Sequence, residues 1–211
     1  MVHPLPNSFR DRRVGEYLDA LASGSPTPGG GSAAGLTGAM GCSLGAMVCR
    51  LKLARAENPA LNELVQQLTV LSDQLLELAR QDELVFATYR DATALPRGTD
   101  AEKATRHEAI ERALVGAAEV PLRMVDAAVE GLGLLEQAAE MGSSHALGDV
   151  VTGGYLIHAM ALGSLENIDA NVASMKDAEN REQLQRAAND ARAALEAALT
   201  SLTDAVAKRR T

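Results

Sequence analysis

The stretch Ser25-Pro26-Thr27-Pro28-Gly29-Gly30-Gly31-Ser32 runs into Ala33-Ala34-Gly35-Leu36-Thr37-Gly38-Ala39-Met40-Gly41-Cys42-Ser43-Leu44-Gly45-Ala46-Met47-Val48-Cys49. Two prolines fix φ and remove backbone donors, three glycines admit conformations closed to other residues, and Ser32 is a favoured N-cap. Together they predict a tight turn opening onto a helix. Small residues then recur at every fourth position: Gly31, Gly35 and Ala39; Ala34, Gly38, Cys42 and Ala46; Gly41 and Gly45. Glycine costs roughly 1 kcal/mol against alanine inside a helix, so this many require other backbones or a ligand to approach closely on several sides. The helix is expected to be central and buried. Its start, with unpaired amides and the positive end of the macrodipole, suits a ligand carboxylate or phosphate, although a plain helix start shares that composition.

Outward from this stretch, every signal is helical. Ser8 is expected to cap a first helix with Val14, Tyr17, Leu18 and Leu21 on its apolar face, ending near Gly24. Asn58-Pro59 supplies an N-cap and a first-turn proline for a long helix to about Ala92. Its seam is Leu61, Leu64, Leu68, Leu71, Leu75, Leu78, Asp82, Val85 and Tyr89. Thr99 with Glu102 forms a capping box for a helix that meets Pro121, where a kink is expected, and continues toward Ala139. Gly142 ends it, and Ser143 or Ser144 caps the next. A last helix spans about Asn180 to Lys208 with Leu184, Ala188, Ala191, Leu195, Ala198 and Leu202 on one stripe, and Lys208, Arg209 and Arg210 complement its negative end. No strand alternation and no fixed-period repeat is visible. The fold class is all-α, a multi-helix and mainly antiparallel bundle in a single domain over residues 1–211, with a tail over about residues 1–8.

Composition narrows the function classes. Aromatics make up 2% of 211 residues and tryptophan is absent, which favours helices packing on helices. A net charge of −8 argues against nucleic acid, whose phosphates demand clustered Lys and Arg. Residues 20–49 are uncharged, yet they are rich in glycine and poor in large aliphatics, so a buried helix is expected and no membrane partner. Cys42 and Cys49 stand seven apart on one helix, about 10 Å along its axis, too far for a bridge. Free thiols, with no secretory signal in residues 1–7, lead to a cytoplasmic expectation. His3, His107, His145 and His158 form no ligand spacing, so no metal is expected.

What remains is carboxylate chemistry. Asp82 falls where the seam calls for an apolar side chain, and burial raises a carboxylate's pKa toward the range useful for proton transfer. An interhelical salt bridge to an arginine, or a seam that opens near the helix end, explains the same placement. Asn167 and Asn171 share a helix face, where their amides can read paired donors and acceptors; exposed asparagines are equally ordinary.

Pro26-Thr27-Pro28-Gly29-Gly30-Gly31-Ser32-Ala33-Ala34 followed by Gly38-Ala39-Met40-Gly41 resembles the opening motif of the formiminotetrahydrofolate cyclodeaminase family, which includes free-standing methenyltetrahydrofolate cyclohydrolases. The similarity continues through Asp82 to Phe86, Leu95-Pro96, Glu102-Lys103-Ala104, Val120-Pro121-Leu122, Gly148-Asp149 and Asn167 to Asn171. The resemblance implies a homodimeric folate enzyme whose substrate is a tetrahydrofolate derivative, with no further cofactor. It makes Asp82 the first catalytic candidate and Asp149 the second. Pro28, Gly29, Gly30, Gly31, Ser32, Phe86, Asn167 and Asn171 become candidates for holding the substrate. A basic loop after the central helix suits folate's glutamate tail, and Lys52 and Arg55 occupy that place. Hydrolase and lyase chemistry both stay open, as do a diverged folate- or pterin-binding dimer without turnover and a purely structural helical dimer.

Overall fold

Six α-helices and no strand make up the described residues, 8–210, of the computed structural model. The readings made on residues 1–7, including His3, lie outside them. The helices are α1 (Val14–Leu21), α2 (Gly30–Leu53), α3 (Pro59–Thr93), α4 (Asp100–Met141), α5 (Leu147–Ser174) and α6 (Ala178–Arg210). Neighbours in sequence from α2 onward run antiparallel, as contacts such as Gly35 with Ala79, Gln81 with Arg123 and His158 with Glu196 require.

α2 is the centre, and its small residues account for that. A Cβ on Gly35 would meet the Leu75 carbonyl at 2.9 Å in α3, and one on Gly41 would meet the Gly153 carbonyl at 2.6 Å in α5. A third side faces α4, where Leu135 closes on Gly45. By length and composition alone α2 passes for a membrane-crossing helix, but most of it is buried against these three neighbours. Cys42 and Cys49 are free thiols in this core, and burial pushes Cys42 up to about 12 and Cys49 up to about 11.

The caps of α3 and α4 follow the sequence. Asn58 Oδ1 accepts from the amides of Ala60 and Leu61, and Thr99 with Glu102 closes a complete capping box. Other expectations need correction. Ser8 caps only a single 3₁₀ turn, Phe9–Asp11, and α1 starts separately at Val14. Within α1, Tyr17 and Ala20 are buried while Val14 and Leu18 are exposed, because the helix is short and lies on the rim with one narrow contact strip. Gly29, not Ser32, occupies the N-cap of α2. Ser143 makes no side-chain cap: it precedes a 3₁₀ turn, and α5 begins at Leu147. α4 runs through Pro121 as one helix. Arg209 reaches across to the carbonyls of Glu140 and Gly142, so a cation expected to serve its own helix end serves that of α4.

Candidate functional site

The α3 seam decides where the site lies. Leu61, Leu64, Leu68, Leu71, Leu75 and Leu78 are sealed in the core. One turn beyond Leu78 the seam opens, and Asp82, Val85 and Tyr89 are half-buried along one wall of a cleft of about 380 Å³. The first turn of α2 forms its floor with Gly29, Gly30 and Gly31; Leu114 and Ala117 of α4 and Asn167 and Asn171 of α5 form the facing wall. Phe86, 39% exposed, offers an aromatic surface at the mouth. The Thr27–Pro28 peptide leading into α2 is cis.

Asp82 sits hard against α2. A Cβ on Gly31 would fall inside the Asp82 carboxyl group, so only glycine leaves the carboxyl this place. No described glycine has a positive φ, so at Gly31 close approach rather than unusual backbone conformation explains the glycine. The Ser32 amide at this helix start favours the Asp82 carboxylate, so the anion there is the protein's own side chain. Burial raises the Asp82 pKa to about 6, the negative charge of Glu83 pushes in the same direction, and the Ser32 amide opposes them. The salt-bridge explanation for Asp82 gives way here, since the arginine on this face, Arg12, is bidentate to Glu83 at 2.7 and 2.8 Å. Arg12 also lies 3.9 Å over the Phe9 ring, which ties the N-terminal segment to α3.

Ser32 is held from behind. Its hydroxyl lies 3.0 Å from the Tyr17 hydroxyl and donates to the Gly29 carbonyl at 3.3 Å. Ser32 is therefore fully buried and serves the geometry of the turn that supports Asp82. Tyr17 is a site-supporting residue that sequence reasoning placed only in a core; its hydroxyl, the one polar atom on the predicted face of α1, was the available signal. Tyr89 was legible as the seam position two turns after Asp82.

Asp149, Lys52 and Arg55 do not join this cleft. Asp149 is in the first turn of α5, about 27 Å along the axis from Asn167, and Lys52 is about 33 Å along α2 from Gly30. The cations near the cleft come from the start of α4 and from the connections before α4 and α6. Ser174, at its edge, also lines a neighbouring cavity with Arg97, Lys103, Arg106 and Lys176. Among the described residues no three His, Cys, Asp or Glu side chains gather as a metal site.

A half-buried carboxyl whose pKa is raised to about 6, set between a helix start and a polar amide wall, gives this all-helical bundle a cleft suited to proton transfer. The formiminotransferase-cyclodeaminase family profile matches residues 13–203. Methenyltetrahydrofolate cyclohydrolase of Methylorubrum extorquens is 33% identical over 165 residues, covering 76% of this chain and 79% of its own. Formimidoyltransferase-cyclodeaminase of Gallus gallus is 26% identical over 168 residues, which are 78% of this chain but 31% of that longer protein. The crystal structure of formiminotetrahydrofolate cyclodeaminase from Thermotoga maritima superposes with a TM-score of 0.82 at 23% identity, over 94% of this chain and 98% of the other. The chain belongs to the formiminotransferase-cyclodeaminase family.

Proposed function

We propose that the cleft binds a tetrahydrofolate derivative and hydrolyses its N5,N10-methenyl bridge to the 10-formyl compound. The observation that carries this is Asp82, a half-buried carboxyl set against the start of α2, whose pKa burial raises to about 6. As the carboxylate it takes a proton from a water that attacks the methenyl carbon, giving a tetrahedral adduct. As the acid it returns that proton to N5 while the carbon–N5 bond breaks; the adduct's hydroxyl proton goes to solvent as the formyl carbonyl forms. One proton is released per turnover. Phe86, Val85 and Tyr89 supply flat apolar surface for the ring system, and the asparagines face its polar edge.

The hydrolase reading rests on the Methylorubrum relative, which is matched over most of its length. Cyclodeaminase chemistry asks for the same proton carrier, with N10 attacking a formimino carbon and ammonia leaving. We place the glutamate tail toward Arg97, Lys103, Arg106 and Lys176 rather than Lys52 and Arg55, since only the former adjoin the cleft. A homodimer is part of the proposal. The Gly/Ala face of α2 and the Leu61–Leu78 seam are buried within one chain, whereas Met40, Met47 and Leu51 stand exposed along α2 with the half-buried Leu36 and Leu44 beside them. Incubating purified protein with 5,10-methenyl- and 5-formiminotetrahydrofolate tests the function: formyl product from the first without ammonia from the second is expected, and absence of turnover on both contradicts it.

A further inference from the structure

Pro121 carries no N–H, so the carbonyl of Ala117, four residues earlier in α4, loses its helical donor. Asn171 takes the vacancy: its Nδ2 donates to the Ala117 carbonyl at 3.0 Å and to the Asn167 carbonyl at 2.8 Å. Carbonyl oxygens only accept, so the atom facing both is the amide nitrogen, and chemistry fixes which way this carboxamide points. Both of its N–H groups are thereby used, and Oδ1 is the only hydrogen-bonding capacity left. That oxygen receives no bond from the protein, and no buried side-chain nitrogen or oxygen among the described residues lacks a partner, so it opens into the cleft that Asn171 lines. One turn earlier, Asn167 Nδ2 makes a single bond, to the Gly163 carbonyl at 3.1 Å, and so keeps one N–H beside its own Oδ1. The two oxygens stand on one helix face, four residues apart.

We propose that Asn171 Oδ1 is a fixed acceptor that reads a hydrogen-bond donor edge, the ring N–H and exocyclic amino group of a 2-amino-4-oxopteridine, and that Pro121 is the positioning residue that holds it toward that edge. The inference rests on the folate reading and sharpens it. A pteridine that presents only an acceptor to Asn171 is disfavoured, because two oxygens would then face each other across a half-dry cleft. The backbone defect at Pro121 is what makes the selectivity one-sided, since an Asn171 with a free N–H could serve either kind of edge.

Two measurements test it together. Pro121→Ala restores an amide that competes for the Ala117 carbonyl and weakens one of the two bonds that hold Asn171. Its melting temperature should rise, while KM for the methenyl substrate rises by about threefold to tenfold and kcat changes by less than about twofold. A purely structural proline would move the melting temperature alone, and an unchanged KM overturns the positioning role. Calorimetric binding of tetrahydropterin and of its 2-desamino-2-methyl analogue supplies the second readout. Wild type should prefer the amino compound by about tenfold, and Asn171→Ala should erase the difference. Equal binding of the two probes with turnover intact overturns the donor-edge inference alone, whereas no binding of either probe, with no turnover of methenyl substrate, overturns the folate reading beneath it as well.

Discussion

Asp82 ties the chemistry to the stability of the fold. Its folded pKa of about 6 lies above the ordinary value of 3.8, so the folded protein holds this proton more tightly than the unfolded chain does. The stabilisation from that proton is complete below the unfolded value and is lost as pH rises through about 6. Asp82→Asn cannot lose it. The variant should therefore melt at or above the wild-type temperature at pH 7 to 8, with the gap closing toward pH 4, as scanning calorimetry across that range will register. A variant that melts many degrees lower at pH 7 would mean that the anion is held by a cation after all. The same titration predicts a rate that climbs with pH to a plateau above about 6, because the base must be ionised.

At the level of elements, the glycine motif separates two jobs that its sequence does not distinguish. A Cβ on Gly30 would meet nothing within 4 Å, whereas one on Gly31 would displace the Asp82 carboxyl. Gly30→Ala should keep turnover within about twofold, and Gly31→Ala should cut it by about tenfold or more, since a displacement of about 1 Å suffices. Equal effects in steady-state assays would return the motif to a plain helix start. Much at this scale was legible in the sequence. The unbroken leucine register of α3 pointed to Asp82, Asn58-Pro59 and Thr99-Glu102 marked the helix starts, and the small-residue spacing of α2 foretold contact on three sides. The failures have physical causes. Ser32 has the side chain of an N-cap, but the chain enters the helix two residues before it, and its hydroxyl serves Tyr17 and Gly29 instead. Asp149, Lys52 and Arg55 were drawn to the site by the resemblance alone, yet long helices carry them away from the cleft, a separation that order in sequence does not reveal.

For the whole molecule, the helices bury their regular apolar faces against one another, and among the features left exposed are the Asp82 cleft and the apolar residues Met40, Met47 and Leu51 on α2. Met40 and Leu51 are each 47% exposed, a poor arrangement for a lone chain in water. A second copy covers them in the proposed dimer. Light scattering should give twice the chain mass of 22.1 kDa, and Met40→Glu with Met47→Glu should return it to the single-chain value; a wild-type mass of one chain at micromolar concentrations contradicts the dimer. The central claim concerns the cleft, and one measurement reaches it most directly: turnover of 5,10-methenyltetrahydrofolate by wild type and Asp82→Asn, each normalised to folded protein. A fall of about 100-fold or more in kcat, with folding intact, is the expected result. Undiminished turnover per folded Asp82→Asn molecule would contradict the account of Asp82 as the proton carrier.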